Sequence, residues 1–196
     1  QLQVEGDISA SGFLHIGNNS STVLYDSASG VSSTTGSILQ DGVILAGTLN
    51  TISSFSGSGM HTILSGYANK ISGSLTGSGD AALFSQNNFG SIIIGGDTNT
   101  IENAGKSVIV GGASNSIELA RTGQNLHVIV GGSYNKISGS MGRYNVIVGG
   151  NGNKIGELGD PLAQQDWNNF IGGGNANELH GTNRSSVVGG FKNYIT

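Results

Sequence analysis

The stretch Asn145-Val146-Ile147-Val148-Gly149-Gly150-Asn151-Gly152-Asn153-Lys154-Ile155 decides how this chain folds. Its pattern is three apolar residues, two glycines, two variable positions, an asparagine, one variable position and an aliphatic. The pattern recurs as Val128-Ile129-Val130-Gly131-Gly132 with Asn135 and Ile137, as Val108-Ile109-Val110-Gly111-Gly112 with Asn115 and Ile117, and as Ile92-Ile93-Ile94-Gly95-Gly96 with Asn99 and Ile101. Looser copies precede these at Ile63-Leu64-Ser65-Gly66 with Asn69 and Ile71, and at Val43-Ile44-Leu45-Ala46-Gly47 with Asn50 and Ile52. Two more follow, at Phe170-Ile171-Gly172-Gly173-Gly174 with Asn177 and Leu179, and at Val187-Val188-Gly189-Gly190 with Asn193 and Ile195. A short core repeated with inserts of variable length is the signature of a solenoid.

Composition agrees. Glycine supplies 35 of 196 residues and charged residues only 10%, against a usual quarter. Glycine and serine enrichment alone would suit a flexible linker, but the Val/Ile triplets supply apolar area at fixed intervals. The net charge of −4, with no basic run, argues against a nucleic-acid partner, because phosphate binding needs clustered Lys and Arg. No apolar run approaches the ~20 residues of a membrane span, so no membrane insertion is expected. Cysteine is absent, which excludes disulfides, thiol chemistry and cysteine metal sites. The chain opens at Gln1 with no signal peptide, as a fragment or processed product would.

Each repeat reads as two strand-like pieces. The β-branched triplet favours a pleated, half-buried surface. The glycine pair permits a tight turn, and the aliphatic of the Asn-x-Ile unit points inward again. Successive side chains of a strand face opposite sides, so Ile109, Ile129 and Ile147 cannot enter one core together with their flanking valines. A lone solenoid would then expose a long apolar stripe, which soluble monomers avoid. Packing against sister chains resolves this, and a homotrimer is expected. The asparagines Asn50, Asn69, Asn99, Asn115, Asn135, Asn153, Asn177 and Asn193 fall one per coil. Stacked at about 4.8 Å per coil, their amides are expected to form an internal ladder.

Residues 1–40 differ from the rest. Short alternating apolar positions between Val4 and Phe13 suggest brief strands. Residues 17–40 carry few large apolar groups and would need other chains to pack against them. From residue 41 the repeats take over. Inserts follow the Asn-x-Ile unit at Ser72–Ala82, Glu102–Lys106, Glu118–Leu126, Ser138–Tyr144, Gly156–Asn168 and His180–Ser185. Inserts at one repeat position emerge on one side of a solenoid. That side gathers Arg121, Met141, Arg143, Tyr144, Asp160, Pro161, Asp166, Trp167, His180 and Arg184. Arg121, Arg143, Tyr144, Asp166 and Trp167 are the candidate binding residues. Trp167, the single tryptophan, suits either stacking on a sugar ring or packing the longest insert onto the solenoid.

Other chemistries fit less well. The Gly-Gly pairs follow strands, but a dinucleotide loop opens a helix, and no segment shows helical periodicity. Calcium-binding β-rolls need recurring acidic residues, and here the recurring polar residue is a neutral asparagine. His15, His61, His127 and His180 have no metal spacing; His61 and His127 fall near equivalent strand starts, where surface or interface packing is expected. Paired carboxylates of a glycan hydrolase would have to come from Glu157, Asp160 and Asp166 within one loop. Ice binding needs a regular array of small polar residues, and the variable positions are irregular. No metal, cofactor or catalytic residue is expected.

The triplet–Gly-Gly–Asn-x-Ile repeat resembles the head domains of trimeric autotransporter adhesins, whose repeats read similarly to Ser-Val-Ile-Gly-Gly. It is also similar to repeats in tail fibres and related virion proteins of marine tailed phages, and Gly6-Asp7-Ile8-Ser9-Ala10-Ser11-Gly12 looks like their short fibre-shaft motif. The resemblance covers residues 41–196 by repeat and 4–16 by motif. It implies a homotrimer of parallel β-rolls or β-helices with an adhesive or structural role; the lack of a membrane anchor segment favours the phage-like form. The expectation is therefore an all-β chain. Residues 1–40 form an interlaced shaft or attachment segment. Residues 41–196 form a parallel β-solenoid of about eight repeats, expected to be left-handed although the repeat suits either hand. The expected role is that of a non-enzymatic virion fibre in the extracellular space, displaying loops to a host-surface glycan. The alternative is a structural spacer or decoration protein that binds only other virion subunits.

Overall fold

The computed structural model describes residues 42–44, 47–53, 61–72, 90–104, 106–119, 126–139, 143–156 and 167–196. The expected shaft segment, residues 1–40, lies outside the described residues. Among those described there is no helix. Sixteen short strands alternate between two parallel sheets. The first sheet stacks β1 (Gly42–Ile44), β3 (His61–Ile63), β5 (Ile92–Ile93), β7 (Val108–Ile109), β9 (Val128–Ile129), β11 (Val146–Ile147), β13 (Phe170–Ile171) and β15 (Ser186–Val187). The second stacks β2 (Thr51–Ser53), β4 (Lys70–Ser72), β6 (Thr100–Glu102), β8 (Ser116–Leu119), β10 (Lys136–Gly139), β12 (Lys154–Ile155), β14 (Glu178–Leu179) and β16 (Tyr194–Ile195). The chain is a parallel β-solenoid with one strand of each sheet per copy of the repeat.

Register follows the repeat. Ile109 pairs with Ile129, and Ile129 with Ile147, in the first sheet. In the second, Ile101 pairs with Ile117, Ile117 with Ile137, and Ile137 with Ile155. These two columns of aliphatics meet between the sheets, and from Ile63 to Leu179 each is fully buried. Each side chain so buried stabilises the fold by about 1.5–3 kcal/mol. Identical shapes stack in register through the narrow interior, which explains why isoleucine dominates it.

The second glycine of each pair holds the turn between the sheets. Gly150 has φ +83°, and a Cβ there would lie 2.1 Å from the carbonyl oxygen of Gly174 on the next rung. The same oxygen accepts from the Asn151 N–H at 2.9 Å and the Asn153 side-chain amide at 3.1 Å. The backbones must approach this closely for both bonds to form. The first glycine is different: a Cβ on Gly149 would meet nothing within 4 Å, and Ser65 occupies the equivalent place four rungs earlier in the looser copy.

The outer faces of the two sheets contrast. On the first, the residues flanking the buried middle position turn outward: Ile94, Val110, Val130 and Val148 are about two-fifths exposed, in a column beside the half-exposed Ile92, Val108, Val128 and Val146. On the second, the outward positions are polar, with ion pairs Lys136–Glu118 at 2.5 Å and Lys154–Glu178 at 3.4 Å. Burial pushes the Glu118 carboxyl up, but hydrogen bonds from Lys136 and Ser116 and the Lys136 charge bring it below its ordinary value.

Candidate functional site: the variable corner

Each rung has two corners, and they behave differently. The corner leading from the first sheet to the second is constant at six residues, as in 94–99, 110–115, 130–135 and 148–153. The corner leading back varies, from 103–107 to 73–91. All insertions therefore leave the solenoid at one edge. Arg121 and Asp166, and with them Glu157, Asp160 and Pro161, lie outside the described residues.

The eight repeat asparagines line the constant corner. Each Oδ1 accepts the backbone N–H of the asparagine on the next rung at 3.0 Å, from Asn50–Asn69 through Asn177–Asn193. Each Nδ2 from Asn50 to Asn177 donates to the glycine carbonyl of the next rung at 3.0–3.1 Å. From Asn50 to Asn177 these side chains are fully buried. Sealed from solvent and saturated by neighbours, they act as scaffold and offer nothing to a ligand.

A second polar column, which the sequence reading missed, lines the variable corner. It consists of His61, Ser91, Ser107, His127, Asn145, Asn169 and Ser185. The Asn145 and Asn169 carboxamides accept from the next rung's backbone N–H at 3.0 Å, as in the first ladder. His61 and His127 do the same through Nδ1, at 3.3 Å from the N–H of Ser91 and Asn145. The expectation that these histidines pack at a surface or interface is corrected: they are 2% and 0% exposed. Burial lowers the His61 pKa to about 4. The expectation of a single amide per coil is corrected likewise. Asn145 precedes Asn153 by eight residues, and Asn-x-Ile occurs in both halves of the quoted stretch. The fundamental unit is thus an eight-residue half-rung used twice, and the sixteen-residue separation of Asn177 and Asn193 is the bare rung.

The segment His180–Ser185 was expected to be an insert and is instead a plain corner. Arg184 takes a left-handed turn (φ +58°) matching those of Tyr144 and Asn168. His180 is buried, bonded to the Gly156 carbonyl and, at 2.9 Å, to Glu178. The His180 hydrogen bond, set against partial burial and aided by Lys154, lowers the Glu178 carboxyl below its ordinary value.

The variable corners of three successive rungs bring the candidate residues together. Arg143 bridges Trp167, and Trp167 bridges Asn183, in parallel. The Trp167 backbone N–H donates to the Asn183 side-chain oxygen at 3.0 Å, the Asn168 backbone N–H to the Arg143 carbonyl at 2.9 Å, and the Arg184 backbone N–H to the Trp167 carbonyl at 2.8 Å. The Arg143 guanidinium carbon lies 5.3 Å from the Trp167 ring centroid. Trp167 is half-buried, while Arg143, Tyr144, Asn168, Asn183 and Arg184 are exposed. The tryptophan thus packs onto the solenoid and carries a cation. Asn183 is a member of this strip that the sequence did not single out. Comparison with protein-family models, curated proteins and solved structures gave no match.

Proposed function

We propose that this chain is the subunit of a homotrimeric fibre of a virion, a non-enzymatic extracellular protein that presents its variable corners to a glycan on the host surface. The observation that carries the reading is the division of labour between the corners. One is locked at six residues by the amide ladder and the glycine column. The other accepts every change of length and, at 143–144, 167–168 and 183–184, exposes arginine, tyrosine and amide groups. A rigid stack with one permissive edge suits the display of recognition loops. The apolar outer face of the first sheet supports the trimer, since soluble proteins cover contiguous apolar patches of that kind.

The test is a glycan array probed with the wild-type chain and with Trp167→Ala. Attachment predicts binding to a surface glycan and its loss in the variant. Absence of binding to any surface, with binding to other virion subunits retained, would favour the spacer role. Release of reducing ends from a host polysaccharide, abolished by Asp160→Asn, would contradict the non-enzymatic reading.

A further inference from the structure

The strip on the variable corner carries two guanidinium groups with no carboxylate paired to either among the described residues. Arg143 and Arg184 are exposed, and neither takes part in an ion pair among the described residues. The carboxylates that are paired, Glu118 and Glu178, belong to strands of the second sheet. The Trp167 ring holds the Arg143 guanidinium, and a cation–π contact neutralises no charge and uses none of the five N–H donors. The backbones of both arginines are pinned by inter-rung hydrogen bonds, so no backbone ordering is left to be done on binding.

The spacing sets the ligand. Arg143, Trp167 and Asn183 occupy successive rungs, about 4.8 Å apart, so Arg143 and the Asn183–Arg184 turn are separated by about 10 Å along the solenoid axis. Tyr144 stands exposed beside Arg143, and Asn168 on the rung between the two arginines. An extended chain of pyranose sugars advances per sugar by a length comparable to one rung. A polymer with an acid on every second sugar therefore brings its anions into step with the two arginines.

We propose that this strip binds an acidic polysaccharide of alternating uronic acids, laid along the axis. Arg143 and Arg184 take the carboxylates, which match the planar guanidinium fork. Tyr144, Asn168 and Asn183 take hydroxyls of the intervening sugars. Trp167 is a positioning residue that acts through Arg143. Nucleic acid fits poorly, because tracking its dense phosphates needs clustered Lys and Arg, and the strip offers two arginines two rungs apart. The inference rests on the attachment reading and names its ligand class.

The experiment is equilibrium binding of the full chain to three immobilised polysaccharides: an alternating uronate, a sulfated chain and a neutral one. The uronate polymer is expected to bind, less tightly as salt is raised. Arg143→Gln and Arg184→Gln should each weaken it by about ten- to a hundredfold with unchanged melting temperature. Trp167→Phe, which keeps an aromatic face, should bind nearly as wild type, and Trp167→Ala should weaken binding as Arg143→Gln does. Preference for the sulfated chain would overturn the carboxylate assignment. Binding confined to the neutral polymer, or uronate affinity unchanged in both arginine variants, would overturn the acidic-sugar assignment while attachment stands. Binding to no glycan at all would overturn both.

Discussion

Gly149, Gly150 and Gly152 sit within four residues and make three different demands. Gly150 has φ +83° and a neighbouring carbonyl 2.1 Å from any Cβ. Gly150→Ala is expected to destabilise the fold by 4 kcal/mol or more, about the upper end for a single substitution. Gly152 has φ +64° but open space around it, and Tyr134 and Ala176 hold the same left-handed conformation on adjacent rungs. Gly152→Ala should cost about 1 kcal/mol. Gly149→Ala should lie within about 0.5 kcal/mol of wild type, as an unobstructed surface change does. Denaturant titration of the three variants checks the order, and equal effects at Gly149 and Gly150 would contradict it. Asn135→Ala is a second test at this scale. It strands the N–H of Asn153 and removes a donor from the carbonyls of Gly131 and Gly150, and unpaired buried groups of this kind cost about 1–3 kcal/mol each. A melting curve like that of wild type would contradict the ladder's structural role. The first ladder was legible because one residue type recurs at one offset. The second was not, because histidine, serine and asparagine share its work: each offers a short acceptor to the N–H above, and no single letter marks the column.

At the scale of the element, strands of two to four residues could not persist alone; they hold because each from β3 to β14 is paired on both sides along the stack. That shifts importance to what caps them. His61 caps β3 and accepts through an unprotonated Nδ1, and its pKa is lowered from 6.5 to about 4. A group whose folded pKa is depressed takes its proton first in the unfolded chain, so acid favours unfolding. Its contribution is fully present above pH 6.5 and is lost as pH falls towards 4, roughly 3 kcal/mol over that window. His61→Asn places there the amide that Asn145 and Asn169 already use, and should flatten the dependence of stability on pH between 6.5 and 4. An unchanged pH profile in that variant would contradict the assignment. The ion pair Lys136–Glu118 is two-fifths exposed on both sides, and its removal should change stability by less than about 1 kcal/mol. Strand positions were readable from the triplet and the Asn-x-Ile unit. The corner 180–185 was misread as an insert because His180-Gly181-Thr182-Asn183 lacks the second glycine of the pair and the closing asparagine, although it spans the same number of residues.

For the whole molecule, alternation along β7, β9 and β11 buries Ile109, Ile129 and Ile147 and leaves Val110, Val130 and Val148 outside. The core was legible from that two-residue period, and so was the surplus of aliphatics on the far side of the sheet. Covering that face with sister chains is the central claim of the account. Charges introduced there should separate assembly from folding: Val110→Glu combined with Val130→Glu should keep the β-sheet circular dichroism of the parent while dispersing the oligomer, because neither side chain enters the core. The most direct measurement is the mass in solution by light scattering. The account predicts three times the 19.8 kDa of one chain for the wild type and a single chain for the double variant. A wild-type mass of one chain, with its valine column open to water, would contradict it.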